Sequence, residues 1–141
     1  MSHVKSAREL QAKSIISALE KRNMTAVYCE SAEDCRKKIS EIIPAGSVIS
    51  WGGSMSIHEC GIPQALRDRG DCEVLDRSTY TTPEQQKEFA VKTFQSNYFL
   101  MSTNAITVNG ELINIDVHYE LFSHKNLSFF ALCRPLTARA Y

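Results

Sequence analysis

The sequence predicts an α/β fold built on a largely parallel sheet with one antiparallel hairpin. Amphipathic helical segments alternate with short apolar runs of strand length, the pattern of strands joined by helical crossovers. The run Val48-Ile49-Ser50-Trp51 passes directly into Gly52-Gly53 and then a serine-led helix start, a strand–loop–helix connection. Asn109-Gly110 separates two alternating apolar runs, 105–108 and 111–115, and is the strongest hairpin signal in the chain. There is no internal repeat and no linker, and 141 residues suffice for one buried core.

In chain order, Ala12, Ile15, Ile16 and Leu19 fall at i, i+3, i+4 and i+7 and predict an amphipathic helix over residues 4–21. Asn23 breaks it, and residues 24–29 read as a short strand. Ser31 caps a second helix, with Glu33 and Asp34 in the first turn and an apolar stripe of Cys35, Ile39, Ile42 and Ile43. Pro44-Ala45-Gly46 ends that helix before the strand at residue 48. Ser56 and Glu59 have the S-x-x-E spacing of a capping box. Gly61 interrupts the helix they start, Pro63 opens another running to Arg69, and Gly70 closes it. Residues 73–75 form a strand ending in Asp76-Arg77. Thr82-Pro83-Glu84-Gln85 is a near-ideal helix start, with a capping threonine, proline at N1 and glutamine at N3. The apolar positions of that helix, Phe89, Ala90, Thr93 and Phe94, are expected to be buried, and residues 98–102 form the next strand.

Composition narrows the function classes. Sixteen basic and sixteen acidic residues leave no net charge, so no polyanion partner is indicated and nucleic acid is not expected. The beginning of the chain has no apolar signal core, and the charge-free stretch 42–57 is interrupted by Pro44 and by glycines. A cytoplasmic protein without membrane attachment is expected. The five cysteines, Cys29, Cys35, Cys60, Cys72 and Cys133, include no C-x-x-C pair, so neither a zinc site nor an iron–sulfur cluster is expected. Cys29 and Cys35 read as buried thiols, and His118 and His124 lack the spacing of a metal pair. No cofactor is indicated.

The candidate site is the glycine loop. Gly52 and Gly53 allow a close backbone approach, and the N–H groups of a following helix start favour an anion, so Gly52, Gly53, Ser54 and Met55 form a possible cradle for a carboxylate or phosphate. An ordinary strand-to-helix turn with Ser54 as helix cap is the alternative. Glu59 is the carboxylate beside this loop and the candidate general base, with capping as its competing role. His58 reads as a surface histidine.

The motif Ser50-Trp51-Gly52-Gly53-Ser54-Met55-Ser56-Ile57-His58-Glu59-Cys60-Gly61-Ile62 resembles the S-x-G-G-S-x-[ST]-L-x-E-x-G-[LI] signature of LUD-domain proteins, the lactate-utilisation family. Val74-Leu75-Asp76-Arg77, Ser102-Thr103-Asn104-Ala105-Ile106-Thr107 and Gly110-Glu111-Leu112-Ile113-Asn114-Ile115-Asp116 match further blocks in the same order. The resemblance implies a three-layer fold similar to the sugar-isomerase, ribose-5-phosphate isomerase and CoA-transferase group. It places a ligand at the carboxyl ends of the strands, where Gly52-Gly53-Ser54, Asp76-Arg77 and Thr103-Asn104-Ala105 arrive, and adds Thr103, Asn104 and Asp116 to the ligand-binding candidates. Asn104 could instead satisfy loop backbone. Residues 1–116 are read as a LUD-like α/β domain and 117–141 as a divergent tail. That tail carries no family motif, and no glycine follows Gly110. The domain is therefore expected to be incomplete at its C-terminus, by truncation or frameshift, with a divergent short member of the family as the alternative.

Three functions are compatible with these residues. The resemblance implies lactate or organic-acid utilisation, with a small anionic ligand bound and iron–sulfur partner proteins supplying electron transfer. The glycine loop also suits an isomerase- or CoA-transferase-like enzyme acting on a phosphorylated or CoA-linked substrate. The loss of motifs after Asp116 suits a non-enzymatic remnant. Co-purification with an iron–sulfur protein, turnover by the pure chain, and translation of the other reading frames near the Asp116 codon separate them.

Overall fold

A computed structural model describes residues 3–115 of the chain. Its elements are α1 (His3–Glu20), α2 (Ala32–Ile42), β1 (Val48–Trp51), α3 (Met55–Glu59), α4 (Ile62–Arg69), β2 (Glu73–Val74), a 3₁₀ turn (Arg77–Thr79), α5 (Pro83–Gln95), β3 (Tyr98–Leu100), β4 (Ala105–Ile106) and β5 (Leu112–Ile113). The fold is α/β: a three-stranded parallel sheet in the order β2-β1-β3, and a separate antiparallel pair, β4-β5. Asp116 and the tail 117–141, with Cys133, His118 and His124, lie outside the described residues.

β1 is the centre of the sheet, and its alternation assigns the layers. Ile49 and Trp51 point into a core with Cys35 and Ile39 of α2, Ile57 of α3, and Ile62 and Leu66 of α4. Ser50 points to the other face, where its hydroxyl meets the Thr93 hydroxyl of α5 at 3.0 Å. The connection from β1 to β2 runs through α3 and α4. The connection from β2 to β3 passes back across β1 through α5. Right-handed crossovers in opposite directions place their helices on opposite faces, as found here.

Helix ends follow local chemistry closely. Asn23 takes φ 60°, with Met24 N–H donating to Leu19 O at 3.1 Å and Asn23 N–H to Glu20 O at 3.0 Å, a Schellman closure of α1. The Ser31 hydroxyl accepts from Asp34 N–H at 3.1 Å. The Thr82–Gln85 capping box at α5 is complete in both directions, with Pro83 as the first helical residue. In the hairpin, Gly110 N–H donates to Thr107 O and Thr107 N–H to Glu111 O, and Gly110 has φ 75°. This is a three-residue loop closed by a glycine bulge. A Cβ on Gly110 would lie 2.8 Å from the Ala18 carbonyl carbon, so the hairpin tip seats against the end of α1. Arg22 secures it, donating from Nε to Asn109 O at 3.1 Å.

Four expectations are corrected. Residues 24–29 form no strand; their apolar alternation lacks a partner among the described strands, and strand stability comes from pairing. The N-cap of α3 is Ser54, two residues ahead of Ser56, so the Ser56–Glu59 box does not start that helix. On α5 only Thr93 is buried, while Phe94 is 55% exposed, because the helix meets the sheet along a narrow line at Ser50. On α2, Ile39 and Ile43 are buried and Ile42 faces outward.

Candidate functional site

The carboxyl ends of β1 and β3 are joined through the glycine loop. Gly52 N–H donates to Leu100 O at 3.3 Å, extending the parallel ladder one residue past β1. Neither Gly52 nor Gly53 has a positive φ, so the loop does not need glycine for backbone conformation. A Cβ on Gly52 would rest against the Phe99 ring at 3.5 Å, whereas one on Gly53 would meet nothing within 4 Å. The Cβ position of Gly53 therefore faces open space among the described residues.

Ser54 is fully engaged. Its hydroxyl accepts from Ile57 N–H at 3.4 Å and donates to the Ser102 hydroxyl at 2.8 Å, and its own N–H donates to Gly52 O at 2.8 Å. It acts as a cap and as a tie to the end of β3. The N–H groups of Gly53, Met55 and Ser56 have no acceptor among the described residues, and they are what the loop offers a ligand. Met55 itself is 70% exposed. α3 is five residues long, and so short a helix adds only a fraction of a full helix dipole.

Thr103 and Asn104 organise the hairpin. The Thr103 hydroxyl lies 3.0 Å from Ala105 O and 2.9 Å from Ile113 O, and Asn104 Oδ1 accepts from Ile115 N–H at 2.9 Å. The Asn104 carbonyl thus satisfies loop backbone. Glu59 is exposed and ends α3, opposite the end that joins the glycine loop. The structure therefore brings Gly52, Gly53 and Ser54 to the Ser102–Asn104 segment through one hydroxyl pair, and places Glu59 at the far end of the short helix.

A second group at this sheet end carries the charge. The Trp51 indole donates from Nε1 to His58 Nε2 at 3.2 Å, and the Arg67 guanidinium lies 5.8 Å from its ring centre. Arg67 Nη2 donates to Asp76 Oδ2, and Asp76 Oδ1 accepts from Ser78 N–H at 3.0 Å and from the Ser78 hydroxyl at 2.7 Å. Burial pushes the Asp76 carboxyl up, but the two Ser78 bonds and the Arg67 charge outweigh it and hold the carboxyl below its ordinary value. Sequence reading missed Ser102 and Arg67. The Asp76 position directly after a strand was the available signal for the latter.

Cys60 caps the C-terminal end of α3, half-buried, and its carbonyl accepts from Arg36 Nη1 at 2.8 Å. Cys35 is buried, and desolvation pushes its thiol up to about 12, which keeps it protonated. Among the described residues, no group of three His, Cys, Asp or Glu side chains forms a metal site, and no helix is long and apolar enough to cross a membrane.

The fold and site define an α/β protein in which the ends of β1 and β3 meet at a glycine loop whose amides at Gly53, Met55 and Ser56 have no acceptor among the described residues. The LUD-domain profile matches residues 12–119, and the chain belongs to the LUD-domain family. No curated protein and no solved structure matches it.

Proposed function

We propose that this LUD-domain protein binds a small anion, a carboxylate or a phosphate, at Gly52–Gly53, and that it serves lactate or related organic-acid utilisation. Three loop amides without acceptors among the described residues, at Gly53, Met55 and Ser56, are the observation that carries the reading. They lie at the carboxyl ends of parallel strands, where open α/β sheets hold their ligands. The family supports the metabolic assignment. Electron transfer in this reading belongs to iron–sulfur partner proteins, whose cofactors would supply the redox chemistry. The action is cytoplasmic.

Gly53 gives the test. A Cβ at this position meets nothing within 4 Å, so Val is expected to be accommodated by the fold and to crowd an anion's approach to the loop backbone. L-lactate, pyruvate or inorganic phosphate at millimolar concentration is expected to raise the melting temperature of the parent by mass action and to leave Gly53→Val unchanged. Equal shifts in the two proteins contradict the reading. Recovery of an iron–sulfur protein with the parent chain from its native cells tests the partner assignment.

A further inference from the structure

We propose that Arg67 is the anion-recognition residue of this site, presented to the ligand by Trp51 and Asp76; the proposal rests on the anion reading of the glycine loop. The loop alone is under-equipped to hold an anion. Its amides are neutral, the Ser54 hydroxyl is engaged both as donor and as acceptor, and α3 is too short to add much dipole. Charge-assisted hydrogen bonds are roughly twice as strong as neutral ones, so a site for a free anion in water calls for a cation.

Topology says where that cation belongs. The chain leaves β1 toward α3 and α4 on one face of the sheet, and leaves the adjacent β2 toward α5 on the other. Diverging connections from neighbouring parallel strands open a crevice at their carboxyl ends. Trp51 ends β1, Asp76 lies two residues past β2, and the Arg67 guanidinium touches both. It therefore sits at this crevice, on the residue that precedes the glycine loop.

The guanidinium is also held ready. Asp76 grips one edge and is itself fixed by two bonds from Ser78, while the Trp51 ring supports one face. The ring in turn is anchored by its bond to His58. Arg67 Nε and Nη1 have no partner among the described residues, and the side chain is 38% exposed. A planar fork with one edge occupied still presents a second edge to a carboxylate or phosphate, which a lysine ammonium does not reproduce.

Trp51 is the one tryptophan of the chain, so its fluorescence reports directly on the guanidinium over it. L-lactate and inorganic phosphate are titrated separately into the full-length parent, Gly53→Val, Arg67→Gln and Arg67→Lys, following Trp51 emission and melting temperature. The proposal expects a saturable emission change in the parent with at least one anion. It expects affinity to fall about tenfold or more in both Arg67 variants, the loss of a hydrogen bond to a charged group. Which anion responds identifies the ligand chemistry. Arg67→Lys keeps the charge and the stem, so it reports on recognition even if Arg67→Gln does not fold. Binding that Gly53→Val abolishes but Arg67→Lys and Arg67→Gln leave at parental strength overturns the role of Arg67 and preserves the loop. Absence of binding to the parent overturns both.

Discussion

At residue scale, Gly53 and Ser54 are neighbours with opposite roles. Gly53 has no positive φ and no neighbour at its Cβ position, so Gly53→Ala is expected to be neutral or to raise stability by up to about 1 kcal/mol through the unfolded chain. Ser54→Ala removes a cap and the link to Ser102, and is expected to cost about 1–2 kcal/mol in urea unfolding. An unchanged midpoint for Ser54→Ala would show that the hydroxyl is not structural. Asp76 gives the pH dependence. Its carboxyl is held below the ordinary value, so its stabilisation is present in full above the ordinary range and is lost as pH falls through the native value. Asp76→Asn is therefore expected to be less stable than the parent at pH 7, with the gap closing below about pH 4. A gap that stays constant with pH contradicts the assignment.

At the scale of elements, the hairpin tip and the helix caps carry sharp expectations. Gly110→Ala combines a left-handed backbone with a Cβ 2.8 Å from main chain of α1, and is expected to cost more than about 2 kcal/mol. Hydrogen exchange should then report loss of protection at the end of α1 together with the hairpin. A local effect confined to residues 105–113 would show that the two do not pack as one unit. Elements were legible in the sequence where their signals were local. The Thr82–Gln85 box, the Asn23 stop, the glycines bounding α4 and the Asn109-Gly110 turn all act through residues a few positions apart, and each is found in place. Residues 24–29 and the apolar face of α5 were misread because pairing and burial depend on what lies across the fold. An alternating run says a strand is possible, and only a neighbouring strand makes one.

At the scale of the whole molecule, the glycine loop was legible because strand, glycines and helix start are contiguous. Its supporting groups were not. Ser102 reaches Ser54 across 48 positions, and Arg67 reaches Trp51 only because α4 returns beside β1. For Ser54 the helix cap was only the alternative to a ligand-binding role, and nothing local announced that this hydroxyl also locks β3 to the loop. The central claim is that a small anion sits on the amides of the glycine loop. It is tested most directly by titrating L-lactate, and separately phosphate, into ¹⁵N-labelled protein and following the backbone amides. The account predicts saturable shifts at Gly53, Met55 and Ser56 with one common dissociation constant, while Gly110 at the hairpin tip stays still. Saturable shifts centred elsewhere, or none at these three amides, would contradict it.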